Sequence, residues 1–208
     1  MQLWTIQPLV VWEILQKKGV FYSDLTQSEH VGDYPEAYRW ITRRLTQHAG
    51  NPPAGCSTPI WAWYQRHGEA RRKPDLRWFR HWVVPGDWVR IEIEMSETET
   101  LLSDFNLWYY CMTYWYISDT EEENNRFEAE LLEHGLNYYR QKPLPDAKYH
   151  AQIERSWERI FDWERVDSSS PLPRAEKWVQ AVFWELRLDR VRAMTPFRGA
   201  FRIAKSKH

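Results

Sequence analysis

The sequence predicts an α+β fold: a single domain over residues 1–208, with a mixed or antiparallel sheet and helices inserted between its strands. Three observations lead there. LWTIQ at 3–7 alternates large apolar with polar residues, and QAVFWEL at 180–186 reads as a half-buried strand that carries one glutamine and one glutamate. Stretches of helical period lie between them. A length of 208 residues, 43% hydrophobic and 27% charged, suits one globular core.

Leu3 to Gln7 is the first strand, and Thr5 and Gln7 read as polar positions on a sheet edge. Pro8 opens a helix that stops at Gly19, because Pro fits a first helical turn and Gly a C-terminal stop. Val20 to Tyr22 is extended. Tyr34 to His48 is amphipathic, with Tyr38, Ile41 and Leu45 at helical spacing. AGNPPAGCSTP is a loop. Pro59 to Gln65 is a strand with Ile60, Ala62 and Tyr64 on one face and Trp61 and Trp63 on the other, so it reads as central. Residues 66–82 form a loop or hairpin. A Pro85-Gly86-Asp87 turn leads into a cleanly alternating strand, WVRIEIEM at 88–95. Leu101 to Ile117 becomes a helix with Ser103-Asp104 at its N-cap. Helices over 124–140 and 148–163 follow. A loop at 167–173, a strand over 178–188 and an extended piece from Val191 to Phe197 complete the chain.

Net charge is −1, so no global field draws the chain to nucleic acid or to a membrane. The charge is unevenly spread, however. Arg66, Arg71, Arg72, Lys73, Arg77 and Arg80 crowd one segment, and Arg187, Arg190, Arg192, Arg198, Arg202, Lys205 and Lys207 crowd another. Cys56 and Cys111 have no CxxC partner and the histidines lack HxxxH spacing, which argues against a metal site or a disulfide framework. MQLWTIQPL lacks the charged n-region of a signal peptide, and no apolar run is long enough for a membrane span. A cytoplasmic protein is expected. With 8 Gly and no GxGxxG or GxxxxGK, the sequence offers no glycine loop to cradle a pyrophosphate.

Three stretches, LWTIQP, LLSDFNLW and QAVFWEL, resemble an uncharacterised family of small bacterial proteins across nearly the whole chain. The order strand, helix, glycine, aromatic in LWTIQPLVVWEILQKKGVFYSD, closed by a late strand carrying an acid, also resembles ADP-ribosyltransferases of the small toxin type. That resemblance implies an ADP-ribosyltransferase-like fold with NAD as substrate. It implies Thr5 and Gln7 as first-strand ligands, Tyr22 or the Trp61–Tyr64 aromatics, Trp63 and Tyr64 among them, as the nicotinamide wall, and Glu185 with Gln180 as catalytic residues. The carboxylate of Glu185 would stabilise the oxocarbenium-like ribose as nicotinamide departs. The acceptor would be a macromolecule, RNA by preference, and a toxin role would bring an antitoxin partner. No His or Arg stands in the first strand, and the late strand that carries Glu185 has no ExE. The ordinary reading of Glu185 is an ion pair with Arg187.

A second reading is a PUA-like RNA- or DNA-binding module with no catalytic role. PGDWVRIEIEM would be its closing strand. In RRKPDLRWFRHW arginines interleave with aromatics, as on single-strand binding surfaces. Arg71, Arg72, Lys73, Arg77 and Arg80 would contact phosphates, while Trp78, Phe79 and Trp82 stack bases.

Overall fold

A computed structural model describes residues 1–24 and 32–200. Arg202, Lys205 and Lys207 of the C-terminal basic cluster lie outside the described residues. The fold is α+β, built on a six-stranded antiparallel sheet in the order β5-β6-β3-β1-β4-β8. These strands are β1 (Gln2–Pro8), β3 (Ile60–Gln65), β4 (Gly86–Glu94), β5 (Leu101–Asp104), β6 (Val179–Phe183) and β8 (Val191–Gly199). A separate ribbon pairs β2 (Val20–Tyr22) with β7 (Glu185–Arg187).

Antiparallel pairing puts register partners on the same face. One face carries the row Ser103, Gln180, Trp63, Trp4 and Glu92, each paired with the next. Leu3, Ala62, Ile91, Ile93, Ala181 and Phe183 build a core with Val11 and Leu15 of helix α1 (Leu9–Lys18). Gly19 ends α1 with φ of 75°, a left-handed conformation that glycine adopts without a Cβ clash. A second core joins Val182 and Trp184 to helices α2 (Pro35–Ala49), α4 (Phe105–Thr113), α5 (Glu121–Glu133) and α6 (Ala147–Ser156).

Several expectations need correction. β1 is interior, between β3 and β4, so Thr5 and Gln7 are not on an edge strand. The Thr5 hydroxyl instead donates to Trp61 O at 2.8 Å. Leu101–Asp104 is the edge strand β5, and α4 begins only after it. Asp104 does cap α4, accepting from the backbone N–H of Asn106 and Leu107. The long strand expected over 178–188 breaks at Trp184, and its two halves pair with different partners. Helix 124–140 is instead α5, ending at Glu133. The strand WVRIEIEM closes nothing, since β4 lies between β1 and β8.

Candidate functional site

Beyond β3 the chain folds back on itself. Arg66 N donates to Arg72 O at 2.9 Å, and His67 N to Arg71 O at 3.2 Å. Gly68 makes the turn with φ of 80°, and a Cβ there would run into the Ala175 carbonyl oxygen. Gln65 ties the same region to the turn before β6, its Nε2 donating to Arg174 O and Lys177 O at 2.9 Å each. Asp75 caps the short helix α3 (Leu76–Phe79), accepting from Arg77 N. The 66–82 segment is thereby held beside the first residues of β6.

The result is a cleft of about 950 Å³ lined by Arg66, His67, Ala70, Arg71, Arg72, Lys73, Asp75, Arg77, Trp78, Phe79, Trp82 and Trp178. Five of these side chains are Arg or Lys, and one is acidic. Trp78 and Trp82 are 70% and 58% exposed, unusual for so large an apolar ring.

Arg66 is the distinctive residue. It is 2% exposed, yet its Nε and Nη1 have no hydrogen-bond partner among the described residues. Aromatic rings enclose its guanidinium: Trp178 at 3.9 Å, Trp63 at 4.6 Å, Trp82 at 4.9 Å, and Phe79 and Phe105 at 5.9 Å each. Ring faces attract a cation but supply no hydrogen-bond acceptor of oxygen strength. Burial lowers its pKa to about 10, which leaves it charged at neutral pH. Burial, then the charges of Arg66 and Arg71, lower the pKa of His67 as well. The site is therefore short of negative charge.

The residues expected at a nucleic-acid surface differ in their surroundings. Arg71 and Trp78 are exposed and line the cleft. Arg77 lines it while paired with Asp75 at 2.5 Å, an exposed contact that lowers the Asp75 pKa to about 2. Lys73 pairs with Glu92 at 3.0 Å. Arg72 is structural: it donates to Tyr64 O at 3.1 Å and stacks 4.2 Å over the Tyr64 ring. Arg80 is exposed and stands outside the cleft lining. Arg66 and Trp178 were not singled out from sequence. The one available signal was a cation directly following an aromatic strand, WAWYQR.

The residues expected around NAD fall in four places. Tyr22 and Glu185 are cross-strand partners in the β2–β7 ribbon. Burial, the Glu185 charge and a hydrogen bond to Glu185 raise the Tyr22 pKa. Glu185 also lies 3.7 Å from Arg187. Gln180 sits in the main sheet opposite Trp63, a wall of the Arg66 cage, and its Nε2 is buried without a partner among the described residues. Thr5 and Gln7 bond each other at 2.7 Å, and Gln7 lines a second groove of about 820 Å³ with Trp61 and Tyr38. Tyr64 packs 5.9 Å from Trp163. Among the described residues, no group of three or more His, Cys, Asp or Glu could hold a metal ion. None of the helices there is long and apolar enough to cross a membrane.

Fold and site together define an α+β protein with a cationic, aromatic-walled cleft. The chain belongs to the family described as a domain of unknown function (DUF3841), whose model matches residues 2–192. The stretches LWTIQP, LLSDFNLW and QAVFWEL fall within that span. No curated protein and no solved structure matches the chain.

Proposed function

We propose that the protein binds single-stranded nucleic acid in the Arg66 cleft. The observation that carries this reading is a buried guanidinium whose Nε and Nη1 have no acceptor among the described residues. Buried charges in proteins are ordinarily paired, and an unpaired one is costly. Phosphate oxygens suit the Nε and Nη1 donors of Arg66, since the arginine fork matches phosphate geometry. Trp78 and Trp82 offer exposed ring faces on which bases stack, and Arg71 and Arg77 lie along the phosphate path.

The test is oligonucleotide binding across a salt series. Three phosphate contacts give a log–log slope of about −2 for single strands. Unchanged affinity from low to high salt would remove the reading.

A second reading, ADP-ribosyl transfer from NAD, has one observation in its favour: Tyr22 and Glu185 are side by side in the ribbon. On it Glu185 stabilises the ribosyl cation, and nucleic acid in the cleft is the acceptor. Incubation with labelled NAD tests it. Label transfer that disappears in Glu185→Gln supports it, and neither transfer nor nicotinamide release excludes it.

A further inference from the structure

We propose that Arg66 receives the terminal phosphate of a strand, so that the protein recognises a nucleic-acid end bearing a phosphomonoester. This rests on the nucleic-acid reading of the cleft and narrows it to one class of ligand.

Depth is the first argument. Arg66 is 2% exposed, and its Nε and Nη1 are sealed from solvent. Arg71 and Arg77, by contrast, are exposed on the same cleft. A phosphate inside a strand carries a nucleoside on each side. To reach a guanidinium sunk among rings, it would have to pull both into the cage. A terminal phosphate has chain on one side only. It can descend to Arg66 while the following phosphates stay with the exposed arginines.

Charge is the second argument. A phosphomonoester carries about −1.5 to −2 at neutral pH, against −1 for a diester, and has three free oxygens to accept hydrogen bonds. The difference counts for more among aromatic rings than in water, because Coulombic attraction grows as the local dielectric falls. His67 lies 5.1 Å from Trp178 in edge-on contact, where it can supply a further donor.

Trp82 is the third. It is 58% exposed although its ring lies 4.9 Å from the buried guanidinium. It is therefore a cage wall on the solvent side, placed to stack the base next to the end phosphate.

The experiment uses the whole protein and single-stranded RNA of about ten nucleotides, within the usual site size of single-strand binders. Three forms are compared by fluorescence anisotropy: 5′-phosphate, 3′-phosphate, and hydroxyl at both ends, with the dye on the end not being compared. One phosphorylated form is expected to bind the wild-type protein at least about tenfold more tightly than the hydroxyl form. Arg66→Lys and Arg66→Met are expected to reduce that preference to less than about twofold; because Arg66 belongs to the binding site, the hydroxyl form weakens too, but by less than the phosphorylated form. Equal binding of all three forms by the wild-type protein overturns the inference and leaves the nucleic-acid reading standing. Absence of binding in every arm overturns both. The wild-type comparison needs no variant, so it holds even if an Arg66 substitution fails to fold.

Discussion

Lys177 and Arg66 are both buried cations, and Trp178 connects them: it follows Lys177 in the chain and covers Arg66 at 3.9 Å. Their surroundings are opposite. Lys177 is 0% exposed, and its Nζ reaches Arg165 O at 2.5 Å, Ser170 Oγ at 2.7 Å and Asp104 Oδ2 at 3.2 Å. Its three N–H donors thus have three oxygens. Ser170 also donates to Asp104, whose other oxygen caps α4. Lys177 therefore locks the end of β5, the start of α4 and the 165–170 loop together. Arg66 has rings on its sides, and its Nε and Nη1 meet no hydrogen-bond acceptor among the described residues. A buried charge with complete partners holds a fold; on the proposed reading, one left incomplete awaits a ligand.

The largest effect should come from breaking the complete site. Lys177→Met strands the Asp104 carboxylate and should cost about 3–5 kcal/mol in urea unfolding, with oligonucleotide affinity per folded molecule unchanged. A variant as stable as wild type would erase the contrast. Next, Trp78→Ala should weaken single-strand binding by about 1–3 kcal/mol, because it removes an exposed stacking face. Its stability should stay within about 0.5 kcal/mol. Arg71→Ala should lower the salt slope by about 0.7, one phosphate contact.

A smaller effect concerns pH. The His67 pKa lies below its usual 6.5 in the free protein, so the folded state disfavours its cation. His67 thus supports stability above pH 6.5, and that support is lost as pH falls through the lowered pKa. A bound phosphate reverses the preference. Affinity for a hydroxyl-ended strand should rise as pH falls below 6.5, and His67→Asn should flatten the rise. Smallest of all, Glu185→Gln should leave strand affinity within about twofold, since Glu185 lies in the β2–β7 ribbon and not in the cleft lining.

Much of the fold was legible in local periodicity. The alternation in WVRIEIEM and the helical spacing of Tyr38, Ile41 and Leu45 correspond to β4 and α2. Alternation reports a strand but not its neighbours. It could not place β1 inside the sheet, nor show that the run through QAVFWEL changes partner at Trp184. LLSD is too short to stand out beside the aromatic helix that follows it. The basic, aromatic character of 66–82 was readable as composition. The cage was not, because its rings come from residues as distant as Trp63, Phe105 and Trp178. Within the basic run the one difference was that Arg66 directly follows the aromatic strand WAWYQ, which does not by itself tell a buried arginine from the exposed Arg71.

Arg66→Met gives the most direct measurement, followed by urea unfolding and by titration with a phosphate-ended strand. An arginine held for a ligand should be dispensable to the fold. The variant should match or exceed wild-type stability, since an unpaired buried charge is lost, while affinity falls at least about tenfold. A variant that loses stability by several kcal/mol yet binds the strand as well as wild type would show that the cage serves the core alone, and would contradict the account.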